Sequence, residues 1–251
     1  MRAVVQFLAR LAHDWLRSPG RFYRWAGRLV PWCAGGALGL TLLALALALL
    51  VVPADGARGD ASRIVFVHVP AAWTSLLLYF GMAAWAALAL ASGTRVPALM
   101  MSALAPTGIL FTCLALWTGW LLGQPGWRAS WVWDAQLACE VILFALYAAV
   151  LGLRSVIGDA ERADRAVAVL VLVGALNLPF IYFSLSWWEG LHQGAARAAG
   201  GPAMAYGMLA GMLALALAFC LYAKTVALAR VRFLMLERAA LRRWFGRAGT
   251  A

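Results

Sequence analysis

Six apolar stretches of near-span length dominate this chain, at about 32–52, 67–91, 98–122, 135–153, 166–186 and 203–223. A helix needs roughly 20 residues to cross the hydrocarbon core of a bilayer. Backbone facing lipid must also satisfy its own hydrogen bonds, which leaves helices as the economical solution. The expected fold class is all-α, a polytopic integral membrane protein with six transmembrane helices. Composition agrees: 65% of the 251 residues are hydrophobic and 12% are charged, about half the charge of a soluble domain. Three regions follow, a basic amphipathic N-terminal segment 1–31, a six-helix membrane domain 32–223 with a tryptophan-rich outer loop 123–134, and a basic C-terminal tail 224–251. The first span is too long for a signal-peptide core and no small-x-small cleavage site follows it, so it is expected to stay as an anchor.

The net charge of +11 is not a nucleic-acid signal, because the basic residues sort by connection. The N-terminal segment holds Arg2, Arg10, Arg17, Arg21, Arg24 and Arg28, and the tail holds Lys224, Arg230, Arg232, Arg238, Arg242, Arg243 and Arg247. Arg95, Arg154, Arg162 and Arg165 fall in connections on that same side, leaving only Arg58, Arg63, Arg128 and Arg197 for the other. By the positive-inside rule both termini are expected in the cytoplasm, and six spans with both ends on one side agree with that parity. Apolar and basic residues alternate in the N-terminal segment, as suits a stretch lying on an anionic leaflet. Cys33, Cys113, Cys139 and Cys220 form no C-x-x-C pair, which argues against a thiol oxidoreductase.

Each of the three outer segments carries something unusual. The first leads into S-R-I-V-F-V-H-V-P-A-A-W at 62–73, the second is G-W-R-A-S-W-V-W-D-A-Q-L at 126–137, and the third reads S-W-W-E-G-L-H-Q-G at 186–194. Topology therefore gathers His68, His192 and a dense tryptophan loop at one face, although 124 residues separate the histidines. An interfacial aromatic belt accounts for Trp32, Trp85 and Trp117. It accounts poorly for Trp127, Trp131 and Trp133 in one short loop, with Trp120 just upstream. That much indole is a platform for a flat, apolar ligand.

A histidine in so apolar a setting must find a partner or a ligand. Bonding to backbone or water is one solution for either histidine alone. For the pair beside an aromatic loop, axial ligation of one haem iron is the favoured reading, since neutral imidazole is a standard ligand there. Zinc is the competitor, because His68, His192, Asp134 and Glu189 just reach the ligand count. It gives no reason for stacked tryptophans. Arg63 suits a propionate, as a guanidinium matches a carboxylate in a bidentate fork, or else is a solvated loop residue. Asp134 is placed to cap the fourth helix, which is compatible with shaping a pocket. Pro70 is expected in the first turn of the second helix. Glu140 lies within a span and is read as a hydrogen-bonded interhelical group outside the haem site. Asn177 and Pro179 are expected to break the fifth helix, with the asparagine bridging helices. His13 reads as a surface residue. No Walker A sequence or G-x-S-x-G is present.

With these strings assembled, including A-P-T-G at 105–108, W-V-W-D at 131–134 and N-L-P at 177–179, the chain resembles the CcmC family. That family handles haem in cytochrome c maturation and belongs to a wider group defined by a tryptophan-rich "WWD" loop. The resemblance runs over nearly the whole length and in the order of spans. It implies transient, non-covalent haem b at the outer face of the cytoplasmic membrane, held by His68 and His192 against Trp127, Trp131, Trp133 and Asp134. It implies delivery to the haem chaperone CcmE, with CcmD and the ATP-driven pair CcmA and CcmB as partners. The loop departs from the usual W-G-x-W-W-x-W-D-x-R-L-T: Arg128 replaces glycine, Ser130 a tryptophan, Gln136 the arginine and Ala138 the threonine. One aromatic and one positive charge are lost there, and Arg128 offers a neighbouring charge in return.

The role expected is binding and transfer, not enzymatic bond chemistry. Two alternatives belong to other classes. A cytochrome c synthase shares the loop, but larger synthases carry histidines inside their spans and an outer domain, which this chain lacks. A permease subunit without a haem site would use the histidines structurally, and haem content separates it.

Overall fold

The structure, a computed structural model, describes residues 18–51, 64–122, 135–181 and 202–248. Within them every regular element is helical, and six helices are long and apolar enough to cross a membrane. We label them α1 (Pro19–Ala46), α2 (Val65–Ser92), α3 (Arg95–Leu122), α4 (Ala135–Val156), α5 (Ala160–Gly174) and α6 (Pro202–Ala248). Wider π-type turns continue α1 through Leu47–Val51.

Local chemistry sets the boundaries. Pro19 occupies the first turn of α1, where its missing N–H costs nothing. α2 stops at Gly93, whose φ of +61° is left-handed and whose N–H reaches the Ala89 carbonyl at 3.0 Å. The Asp159 carboxylate caps α5 by accepting the Arg162 N–H at 2.7 Å. α5 then breaks at 175–176 and resumes to Ile181, with Pro179 just beyond the break. The Asn177 amide donates across to the Cys139 carbonyl on α4 at 3.0 Å, so the expected break and the expected bridge both occur.

Side-chain contacts give the direction of every helix. Leu221 packs on Gly36, Ala44 clusters with Leu215 and Ala218, and Ala48 with Met208 and Met212. α1 and α6 are therefore antiparallel along their length. Phe66 meets Gly211 and Ala71 meets Ala223, so α2 runs parallel to α6. Ser75 pairs with Glu140 and Tyr79 with Tyr147, so α4 runs with α2, while Asn177 on Cys139, Gly174 on Leu146 and Asp164 on Arg154 set α5 antiparallel to α4. α3 is the axis: 67% of its apolar window is buried, against at most 33% for any other span.

Two ends of the bundle result. One gathers the start of α2, the end of α3, the start of α4, the end of α5 and the start of α6. The other is pinned by Asp164, which accepts from Arg154 at 2.7 Å and from Arg238 in a two-pronged contact at 3.0 Å. Arg154 also donates to Ser102, tying α3 into this cluster.

The helices overrun the apolar stretches. α1 begins at Pro19, inside the 1–31 segment, because Phe22 and Ala26 are buried against Ala227, Leu228 and Val231 of α6. α6 continues past Lys224 to Ala248. Pro70 is not in the first turn of α2 but at its sixth residue.

Candidate functional site

His68 is the one histidine among the described residues, and it sits half-buried on the first turn of α2. Its ring leans on the last turns of α3. Nδ1 lies 3.0 Å from the Ala115 carbonyl oxygen and 3.1 Å from the Thr118 hydroxyl oxygen. Gly119 forms the third wall, where a Cβ would come within 3.1 Å of Cε1. Residues 115, 118 and 119 share one face of a helix by the i, i+3, i+4 rule. Ala71, one turn after His68, fills the space beneath with Phe111, Ala115 and Ala223. A polar ring thus stands at the rim of an otherwise apolar seam.

Two turns further along α2, about 10 Å from His68 at 1.5 Å per residue, a second polar group is enclosed. The Ser75 hydroxyl is 3.0 Å from Glu140 Oε1 and 2.8 Å from the Ala72 carbonyl. Tyr147 donates to the Ser75 carbonyl at 2.8 Å and meets Tyr79 edge to face at 5.2 Å. Glu140 is therefore an interhelical hydrogen-bonding group between α2 and α4.

Trp117 and Trp120 stand at the His68 end of α3 but do not join the socket. They are 61% and 48% exposed, and helical geometry puts them roughly 150° around α3 from the 115/118/119 face. Both lie on the exposed side of α3. Trp127, Trp131, Trp133, Asp134, Arg63 and His192 lie outside the described residues, as do Arg128, Ser130 and Glu189. The helix ends flanking these segments, at 51, 64, 122, 135, 181 and 202, lie at the same end of the bundle as His68.

Sequence reasoning did not single out Thr118, Gly119 or Ser75. The T-G pair inside W-T-G-W was the available signal, a small polar step interrupting an apolar run. The Ala115 carbonyl left none, since every residue carries one.

The CcmC family model, described as "Heme exporter protein C", matches residues 12–246. The heme exporter protein C of Bradyrhizobium diazoefficiens is 40% identical over 233 residues, 89% of this chain and 85% of that protein. The protein of that name from Escherichia coli strain K12 is 39% identical over 182 residues, 72% of this chain and 74% of the relative. A ccmC-like mitochondrial protein of cytochrome c biosynthesis from Marchantia polymorpha is 37% identical over 171 residues, covering 68% and 71%. With a match over almost its full length and the six-helix architecture above, this chain belongs to the CcmC family.

Proposed function

We propose that this protein binds haem b, transiently and without a covalent bond, at the periplasmic face of the cytoplasmic membrane. It presents that haem to the chaperone CcmE during c-type cytochrome maturation. His68 and His192 are the axial ligands, Trp127, Trp131 and Trp133 the apolar platform, Asp134 a shaping residue and Arg63 a propionate partner. CcmD and the ATP-driven pair CcmA and CcmB complete the exporter assembly. The protein supplies ligation, orientation and access, and no side chain of its own needs to make or break a covalent bond.

The observation that carries this reading is the seating of His68. Its Nδ1 is engaged by the protein from the side of α3, the arrangement that orients a metal-ligating imidazole. It stands at the bundle end where the tryptophan loop and the His192 segment are anchored. The relatives' name, heme exporter protein C, names the same cargo.

The test is an optical spectrum of the detergent-purified protein, coexpressed with the chaperone, beside a His68→Ala/His192→Ala variant. A low-spin haem spectrum lost in the variant is the expected result. Haem absent from both samples, with chaperone loading intact, would leave a scaffold or permease role instead.

A further inference from the structure

We infer that Thr118, together with the Ala115 carbonyl and Gly119, holds His68 as its Nδ1–H tautomer and makes Nε2 the nitrogen offered to iron. The iron half of this statement rests on the functional reading above; the tautomer does not.

The argument is a count of donors and acceptors around one nitrogen. The Ala115 oxygen, 3.0 Å from Nδ1, is a carbonyl and only accepts. The Thr118 oxygen, 3.1 Å from Nδ1, has one hydrogen, which is already directed elsewhere. That hydroxyl lies 2.6 Å from the Leu114 carbonyl and 3.2 Å from the Ala115 carbonyl, both acceptors. It therefore turns a lone pair towards the ring. With acceptors on both sides, Nδ1 must carry the proton, and a neutral imidazole then keeps its lone pair on Nε2. The opposite tautomer would set the Nδ1 lone pair against a carbonyl lone pair at 3.0 Å.

Gly119 supplies the room. A Cβ at that position would sit 3.1 Å from Cε1 and 3.6 Å from Nδ1, closer than ordinary van der Waals contact at the first atom. A side chain there would require the ring to shift by a few tenths of an ångström against its two acceptors. The socket is built by α3 and the ligand by α2, so the packing of these two helices sets the direction of Nε2. Donation from the distal ring nitrogen to an oxygen also raises the basicity of the ligating nitrogen. Thr118 is thus a positioning residue, acting on iron only through His68.

Nitrogen NMR of histidine-labelled, haem-free protein tests this directly, at a pH where the ring is neutral. With His13 and His192 replaced by Gln, His68 is the sole labelled residue. The expected spectrum shows a protonated Nδ1 and an unprotonated Nε2; Thr118→Ser keeps it, and Thr118→Val shifts it towards mixed tautomers. Haem titration of the otherwise unaltered chain should show Thr118→Val binding about tenfold more weakly with a changed reduction potential, and Thr118→Ser restoring both. A protonated Nε2 in the haem-free protein would overturn the inference. So would a Thr118→Val variant that titrates and poises haem like the parent. A wild-type protein with the expected tautomer that binds no haem would refute the functional reading, while the socket would stand.

Discussion

His68 and Glu140 are both polar side chains set into apolar helices, and the bundle handles them differently. His68 engages α3 through Nδ1, against the Ala115 carbonyl and the Thr118 hydroxyl. Glu140 is enclosed, with the Ser75 hydroxyl on one oxygen and the Tyr147–Ser75 contact closing the space beside it. Isolation of this kind makes Glu140 a packing group. Glu140→Gln keeps a carbonyl oxygen for Ser75, so stability and the haem spectrum should match the parent. Glu140→Leu should cost roughly 1 kcal/mol, the scale of interhelical hydrogen bonds in membrane bundles, again with the spectrum unchanged. A haem spectrum altered by Glu140→Gln would move this carboxylate into the site. Both residues were legible as oddities, because charge and imidazole stand out in a span. Their partners were not, since Ala115 and Ser75 lie 47 and 65 positions away and one of them contributes only backbone.

At the scale of elements, small residues decide how closely helices approach. An added methyl at Gly108 of α3 would overlap the Tyr147 ring from α4, and one at Gly174 would meet Tyr79 and Leu146. Tyr79 and Tyr147 are both fully buried. Gly108 closes the A-P-T-G string, so that string is a packing device: Ala105, Thr107 and Gly108 are buried and the glycine admits an aromatic ring. Gly108→Ala should destabilise the bundle by about 1–3 kcal/mol, the usual cost of overpacking, read as a lower unfolding midpoint in mixed micelles. Gly152 on α4 has nothing within 4 Å of its would-be Cβ. Gly152→Ala should therefore be neutral or stabilising by about 0.5–1 kcal/mol, from backbone entropy alone. Equal midpoints for the two variants would remove the packing role. In the sequence the string carried only a family resemblance; neither the close approach nor the ring that fills it was legible there. α2 and α3 are apolar almost all round, and without a polar face a span does not advertise its neighbour.

For the whole molecule, six spans were readable because lipid imposes length and hydropathy together. The end-to-end sorting followed from parity. The contacts extend that sorting to side chains, with His68 at one end and the Asp164 cluster with Arg154 and Arg238 at the other. Basic residues concentrate at the Asp164 end, where the start of α1, the connection at 157–159 and the far end of α6 are gathered. On the positive-inside rule, the expected orientation has both termini in the cytoplasm and His68 towards the outer leaflet. Labelling of introduced cysteines on intact cells tests this, after the four native cysteines are replaced by serine or alanine. Ala57→Cys, between α1 and α2, should react with a membrane-impermeant maleimide from outside. Gly158→Cys, in the exposed turn between α4 and α5, should react only after lysis. The reverse pattern would put His68 in the cytoplasm, where it could not present haem to a periplasmic chaperone, and the proposed direction of delivery would fail with it. The expected pattern instead puts the His68 end of the bundle on the outer face, the side that the proposed delivery requires.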